Sequence, residues 1–272
     1  MEHSAAELLL RRDRWIVGGG LLLLCLLCWA YLLAGSGTGM SVAAMTSWQF
    51  PPPAAEGLAG GSWGAAYWIV MLLMWWIMMI AMMVPSAAPM ILLYARVYRH
   101  GQEAGAELSP VVPTAAFTAG YLLAWLLFSG FATGLHFVLE ASGLVHRMMM
   151  WSTTTVLSGS FLVAAGLYQF SPWKNRCLQE CRSPVQFLST HWRKTRIGAL
   201  RMGAEHGVFC IGCCWSLMLL LFAGGVMNLV WIAGLAAIVL LEKLHRFGHQ
   251  VARGAGAAML AGGLYLLVYK VW

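Results

Sequence analysis

The chain has 272 residues, of which 60% are hydrophobic and only 10% are charged. This composition excludes an ordinary soluble domain, in which about 25% of residues carry charge. The mean hydropathy of +0.72 predicts an integral membrane protein. The formal net charge of +7 is typical of membrane topology and of contact with anionic lipid, and no nucleic-acid partner is predicted.

Seven apolar segments approach the length of about 20 residues that a helix needs to cross a bilayer. The fifth and sixth segments are separated only by a turn signal at Gly224, Gly225 and Asn228, so the count is six if they form one span. The predicted fold class is all-α, a polytopic transmembrane helix bundle of about seven helices. In chain order the segments cover residues 15–34, 66–94, 112–139, 150–170, 207–225, 227–241 and 255–269.

The whole chain is predicted to form a single integral membrane domain. Its first part contains an anchor helix and an external loop, its middle part contains most of the segments, and its last part contains the final helix. These parts cover residues 1–65, 66–245 and 246–272 of the 1–272 domain.

Lys and Arg residues divide unevenly between the two sides that the seven segments define. Only Arg147 and Lys270 lie on one side, and the other fifteen of the seventeen lie opposite. Since cytoplasmic loops are enriched in Lys and Arg, we predict a multi-pass membrane protein with a cytoplasmic N-terminus and an external C-terminus. The fifteen are Arg11, Arg12, Arg14, Arg96, Arg99, Lys174, Arg176, Arg182, Arg193, Lys194, Arg196, Arg201, Lys243, Arg246 and Arg253.

The strongest chemical signal lies on the fifth segment and just before it. At ~100° per residue, a helix brings His206, Cys210, Cys213 and Cys214 into one arc of about a quarter turn. Their side chains are therefore predicted to face the same neighbour. Thiolate and imidazole groups are ligands for copper(I) and for zinc.

A second pair of cysteines precedes this arc on the same predicted side of the membrane. Cys177 and Cys181 are four residues apart, so they share one face if their stretch is helical. A membrane cysteine is often a small apolar filler, but five thiols and an imidazole at one membrane face favour metal or redox chemistry. The predicted metal ligands are Cys177, Cys181, His206, Cys210, Cys213 and Cys214.

A methionine stripe runs along the second segment at helical spacing. It comprises Met71, Met74, Met78 and Met82. Thioethers bind copper(I) and are poor zinc ligands, so the stripe offers a hypothetical route for copper(I). Methionine also packs well against aromatic side chains, and we favour packing as its role.

Two polar residues occur near the end of the third segment, on the side away from the cysteines. His136 and Glu140 are one helical turn apart and could in principle receive a metal from outside. We expect them to be solvated residues without a dedicated metal site, because polar residues at a loop usually contact water.

Three strings carry a resemblance to a known family: AMMVPSAAPM from Ala81, GLYQFSPWKNRCLQECRSP from Gly166 and CIGCCWSLMLLLFAGGVMNLVW from Cys210. They resemble a bacterial family of predicted metal-binding integral membrane proteins, a family of unknown function whose members are sometimes labelled copper chaperones. The likeness extends over about residues 68–243. It implies metal handling, and the positions that match the pattern are Cys177, Cys181, Cys210, Cys213 and Cys214.

The function predicted from these observations is binding of a soft metal at a cytoplasm-facing cysteine cluster, followed by delivery or transport. The expected metal is copper(I), with zinc as the alternative. The partners are the lipid bilayer, the metal ion, and a soluble metal chaperone or a membrane metalloenzyme. No catalytic residue is predicted, and the sequence favours a role other than that of an enzyme.

Two alternatives come from other functional classes. The spacings Cys25-x-x-Cys28 and Cys210-x-x-Cys213 suit a membrane thiol–disulfide oxidoreductase, which exchanges disulfides through mixed intermediates. The chain is alternatively an assembly subunit of a membrane metalloenzyme complex, since small residues on its last segment permit close packing on a partner. These small residues are Gly254, Gly256, Ala257, Gly262 and Gly263.

Overall fold

Helices make up most of the chain in the structure, a computed structural model that describes residues 5–37, 41–50, 62–100, 111–193 and 195–269. Ten helices occur in these ranges, joined by turns and one isolated β-bridge between Val145 and Ser152. They are α1 Ala5–Leu33, α2 Val42–Met45, α3 Ala65–His100, α4 Val111–Ala141, α5 Thr155–Gln169, α6 Pro172–Arg182, α7 Pro184–His191, α8 Arg196–Gly224, α9 Leu229–Leu244 and α10 Gly248–Tyr269.

Five of the described helices, α1, α3, α4, α8 and α10, are long and apolar enough to cross a membrane. The predicted all-α class is therefore confirmed, and the helices are those expected of a multi-pass membrane protein. The fourth and sixth predicted segments correspond to α5 and α9, which have only 15 and 16 residues. The predicted number of about seven full spans thus combines five long helices with two short ones.

Helix α8 packs most extensively on α4, and glycines on both helices bring the two backbones together. A Cβ atom at Gly203 would lie 1.8 Å from the carbonyl oxygen of Phe117, and one at Gly120 would lie 1.9 Å from that of Leu200. Because only glycine lacks this atom, the sequence at these positions permits a helix contact closer than ordinary side chains allow.

Glycines also join α5 to α10, and this contact corrects one expectation about the last segment. A Cβ atom at Gly256 would lie 2.7 Å from the Cβ atom of Gln169, and one at Gly263 would lie 2.9 Å from the carbonyl oxygen of Gly159. Gly256 and Gly263 therefore pack inside this chain and not on a partner. Gly262, in contrast, has no atom within 4 Å of an added Cβ.

One end of the bundle, which we call the basic end, is where α3, α5 and α9 finish and where α8 and α10 begin. The ring of Tyr94 stacks there on Phe117, with centroids 4.8 Å apart, and lies 5.6 Å from Trp192. Of the basic residues in the predicted charge asymmetry, Lys194 and Lys270 lie outside the described residues. The compartment that the basic end faces stays a prediction.

Candidate functional site

The three cysteines of α8 lie in the interior of the bundle, about midway along the helix. Cys210, Cys213 and Cys214 are fully buried, and His206, one turn before Cys210, is nearly so. Helix α8 begins well before them, where the Thr195 hydroxyl caps it by accepting a hydrogen bond from the backbone of the first turn. The side chains of this arc therefore face protein, as the spacing predicts.

The sulfur of Cys210 contacts polar side chains from two neighbouring helices, and these side chains also contact a third helix. Lys243 of α9 donates to it from Nζ at 2.8 Å, and the hydroxyl of Tyr121 from α4 lies 3.1 Å away. Lys243 also donates to the hydroxyl of Ser86 on α3 at 3.2 Å, and Tyr121 donates to the carbonyl of Met83 at 3.3 Å. Cys210 thus lies among polar groups within an otherwise apolar core.

The other two thiols of α8 turn back along their own helix. Cys213 and Cys214 donate to the backbone carbonyl of Cys210 at 3.1 and 3.0 Å. The sulfur of Cys214 also lies 3.9 Å from Sδ of Met83. In this arrangement, no three His, Cys, Asp or Glu side chains of the described chain form a ready metal cage. Ligation of a metal would require these thiols to leave their backbone acceptors.

Helix α6, which carries the second pair of cysteines, is fixed to α9 at both of its ends. Near its start, Lys174 and Glu242 form a buried ion pair with an Nζ–Oε2 distance of 2.6 Å, and Gln169 donates to the other carboxylate oxygen at 3.0 Å. At its end, the Arg182 guanidinium donates to the carbonyls of Glu242 and His245 at 3.2 and 3.0 Å. These contacts hold the intervening turns of α6 against α8.

Both cysteines of α6 reach the α8 cysteines as a result. Cys181 lies beside Cys210 and Cys213, and its interaction with these two thiols, together with burial, raises the pKa of the Cys181 thiol well above its ordinary value. The sulfur of Cys177 occupies the space that a side chain at Gly212 would need, 2.6 Å from the position of its Cβ. Burial raises the pKa of Cys177 as well. Both α6 thiols therefore keep their protons at neutral pH when no metal is bound.

His206 lies beside the thiols and is held by aromatic rings. Its ring stacks on Tyr121, with centroids 5.8 Å apart, and meets Phe187 edge to face at 5.3 Å. Its Nδ1 atom has no hydrogen-bond partner among the described residues. This nitrogen is therefore available as a metal ligand. The contact that joins His206 to the cluster is with the ring of Tyr121 and not with a sulfur.

Two lysines that the sequence analysis assigned to the predicted cytoplasmic side belong to this site. Lys174 is fully buried in its ion pair, and Lys243 is only 6% exposed on Cys210. Neither is a surface charge, because each contacts a buried acceptor on another helix. In the sequence, the position of Lys243 directly after the apolar run of α9 is one indication that it belongs to the site. Tyr121 and Ser86 have no comparable indication.

A methionine outside the predicted stripe contacts the thiols. Met71, Met74, Met78 and Met82 are all buried in the core of the bundle, as packing residues would be. Met83, one residue beyond the stripe, is the methionine that contacts Cys214. One thioether is therefore close enough to the cluster to take part in metal binding.

His136 and Glu140, expected to be solvated, are instead fully buried. Trp75 donates from Nε1 to Nδ1 of His136 at 3.3 Å, and Trp63 donates to a carboxylate oxygen of Glu140 at 3.0 Å. The guanidinium of Arg147 lies 3.6 Å from the same oxygen. The expectation was wrong because two indole rings from distant parts of the chain cover the end of α4.

Comparison with known proteins gives one match. A family model described as PpoB2, copper chaperone, matches residues 72–266, which is well over half of the chain. No curated protein and no solved structure matches the chain. The matched range contains all the cysteines of α6 and α8, together with Tyr121 and Lys243.

Proposed function

Since this chain belongs to the copper chaperone family, we propose that it binds copper(I) as its cargo at the buried thiol cluster and passes the ion on. The cluster is the set of Cys177, Cys181, Cys210, Cys213 and Cys214, with His206 as an additional donor. In this proposal the chain is a bacterial inner-membrane protein whose basic end faces the cytoplasm.

The contact between α6 and α8 is the observation that carries the proposal. Cys181 comes from a different helix than Cys210 and Cys213, yet its thiol lies beside both of theirs. Thiols used only as apolar fillers need no such convergence. Several thiols within reach of one point supply the soft ligands that copper(I) prefers.

The neighbouring thioether favours copper(I) over zinc. Met83 lies 3.9 Å from the sulfur of Cys214, and a thioether is a weak ligand for zinc but a good one for copper(I). A zinc site would more often draw its donors from thiolate and imidazole groups alone. Zinc stays the alternative cargo.

A gradient of exposure suggests how the ion would enter and leave the cluster. Cys177 and Cys181 are partly exposed, whereas Cys210, Cys213 and Cys214 are fully buried. An ion arriving from solution would meet the α6 thiols first and then exchange onto those of α8. Binding would release thiol protons, because the thiolate is the ligand. The acceptor would be a soluble chaperone or a membrane metalloenzyme.

The test is the copper content of purified protein after loading with copper(I) under reducing conditions. Mass spectrometry of metals should find bound copper in the wild type and little in a Cys210, Cys213 and Cys214 to Ser variant. A Cys25 and Cys28 to Ser variant is the matched control, since its thiols lie on α1, which packs on α3. Unchanged copper in the triple variant contradicts the proposed site.

The alternative of thiol–disulfide exchange keeps one supporting observation. Cys181 and Cys210 are neighbouring thiols on different helices, as a disulfide between α6 and α8 would require. All seven cysteines are free thiols in the structure. Trapping with a maleimide in cells distinguishes the two functions. Reversible formation of a Cys181–Cys210 disulfide favours exchange. Thiols that copper protects from the maleimide, but that never form a disulfide, favour metal binding.

A further inference from the structure

A positive charge is built into the thiol cluster. The ammonium group of Lys243 lies 2.8 Å from the sulfur of Cys210 and is buried with it. The adjacent carboxylate of Glu242 is already paired with Lys174 at 2.6 Å, and Gln169 occupies its other oxygen. The contacts of Lys243 in the site are instead a sulfur and the hydroxyl of Ser86.

This charge acts directly on any metal ion that Cys210 binds. An ion on the Cys210 sulfur would come within a few ångströms of the ammonium group, which is closer than the distance over which salt screens charges. The repulsion between them is proportional to the charge of the ion, and it is weakly screened because the site is buried. A divalent ion therefore meets twice the repulsion that a monovalent ion meets.

We infer that Lys243 is a specificity-determining residue, which makes the thiol cluster prefer a monovalent soft ion over a divalent one. This inference rests on the proposed function and extends it from ligand type to ion charge. Ser86 gives the ammonium a second acceptor at 3.2 Å, so Lys243 can move off Cys210 when an ion binds without losing all its hydrogen bonds. Sulfur ligands alone would accept both copper(I) and zinc.

The experiment compares the affinities of purified protein for copper(I) and for zinc, each measured by competition with a chelator of known affinity. Lys243→Gln removes the charge and keeps a polar side chain of similar length. The ratio of copper(I) to zinc affinity should fall about tenfold or more in this variant, because zinc gains more from loss of the repulsion. Silver(I), a monovalent ion without redox chemistry, should behave as copper(I) does.

Two further variants serve as controls. Lys243→Arg keeps the charge and should keep the ratio near that of the wild type. Arg246→Gln removes an exposed charge from the same end of the bundle and should leave the ratio unchanged. If Lys243→Gln fails to fold, Lys243→Met provides a second neutral side chain for the same measurement.

The outcomes separate this inference from the proposed function. A purely structural role for Lys243 would change both affinities by the same factor, and that result overturns the inference while the proposed function stands. An unchanged ratio in the neutral variants overturns it too. If the wild type shows no cysteine-dependent copper(I) binding, both the inference and the proposed function fail.

Discussion

The buried ion pair between α6 and α9 gives the prediction with the largest expected effect. Glu242→Leu removes the partner of Lys174, whose ammonium is fully buried, and leaves the side-chain amide of Gln169 without its acceptor. Removing one partner of a buried pair costs about 3–5 kcal/mol, and an unmade buried amide hydrogen bond costs about 1–3 kcal/mol. We therefore expect the free energy of unfolding to fall by about 4 kcal/mol or more.

The double variant Lys174→Met and Glu242→Leu tests the cause of this loss. It removes both charges and keeps similar volumes, so it should lie within about 2 kcal/mol of the wild type. Equilibrium unfolding of the purified protein in detergent micelles measures both values. Arg201→Gln is the control, because it breaks an exposed pair with Glu205 and should change stability by less than about 1 kcal/mol.

A second measurement connects the ion pair to the thiol cluster. In the single variant α6 loses an anchor, so Cys181 should react faster with a maleimide than it does in the wild type. The reasoning is refuted if Glu242→Leu costs less than about 1 kcal/mol, or if the double variant is as unstable as the single one. Either result would show that the buried pair contributes little to the position of α6.

Three further predictions concern other parts of the bundle. Gly203→Ala should destabilise the protein by about 1–3 kcal/mol in the same unfolding assay, since its Cβ would lie 1.8 Å from a backbone oxygen of α4. Gly130→Ala is the control and should leave stability unchanged, because there is open space around Gly130. The Cys177 thiol has a pKa above its ordinary value of 9.0 in the folded protein, so its contribution to stability is present below pH 9.0 and lost as pH rises through the folded pKa. Cys177→Ala should therefore lose less stability at high pH than the wild type does. Equal losses in the two proteins would contradict this. Trp63→Phe removes a hydrogen bond to the buried carboxylate of Glu140 and should cost about 1–3 kcal/mol, and a neutral result would mean that water replaces the indole.

The sequence by itself determined the class of the protein and the main chemical feature of α8. Apolar segments of membrane length are local properties, because the bilayer acts as a uniform solvent for each helix. Helical periodicity is local as well, so the spacing of Cys210, Cys213 and Cys214 was enough to predict that their side chains share one side of the helix. The resemblance in three strings led to the same family that the comparison then matched over residues 72–266.

The helix count shows where local information becomes insufficient. The run over residues 207–241 predicts two spans, but α8 begins at Arg196 and is a 29-residue helix, whereas α9 has only 16 residues. A short helix is stable in this position because its end is buried against α6, with Arg182 donating to its last carbonyls. That partner is at least 60 residues away in the chain, so hydropathy could not reveal it.

Only the tertiary structure decided which charges belong to the site. Lys174 and Lys243 look like loop cations in the sequence, and the fold buries both against acceptors on other helices. Glu140 looks like a solvated residue, and the indole of Trp63 covers it. The physical reason is the same in each case. These charged groups are buried because a distant segment supplies the partner of each, and the residues next to a charged group in the sequence do not identify that segment.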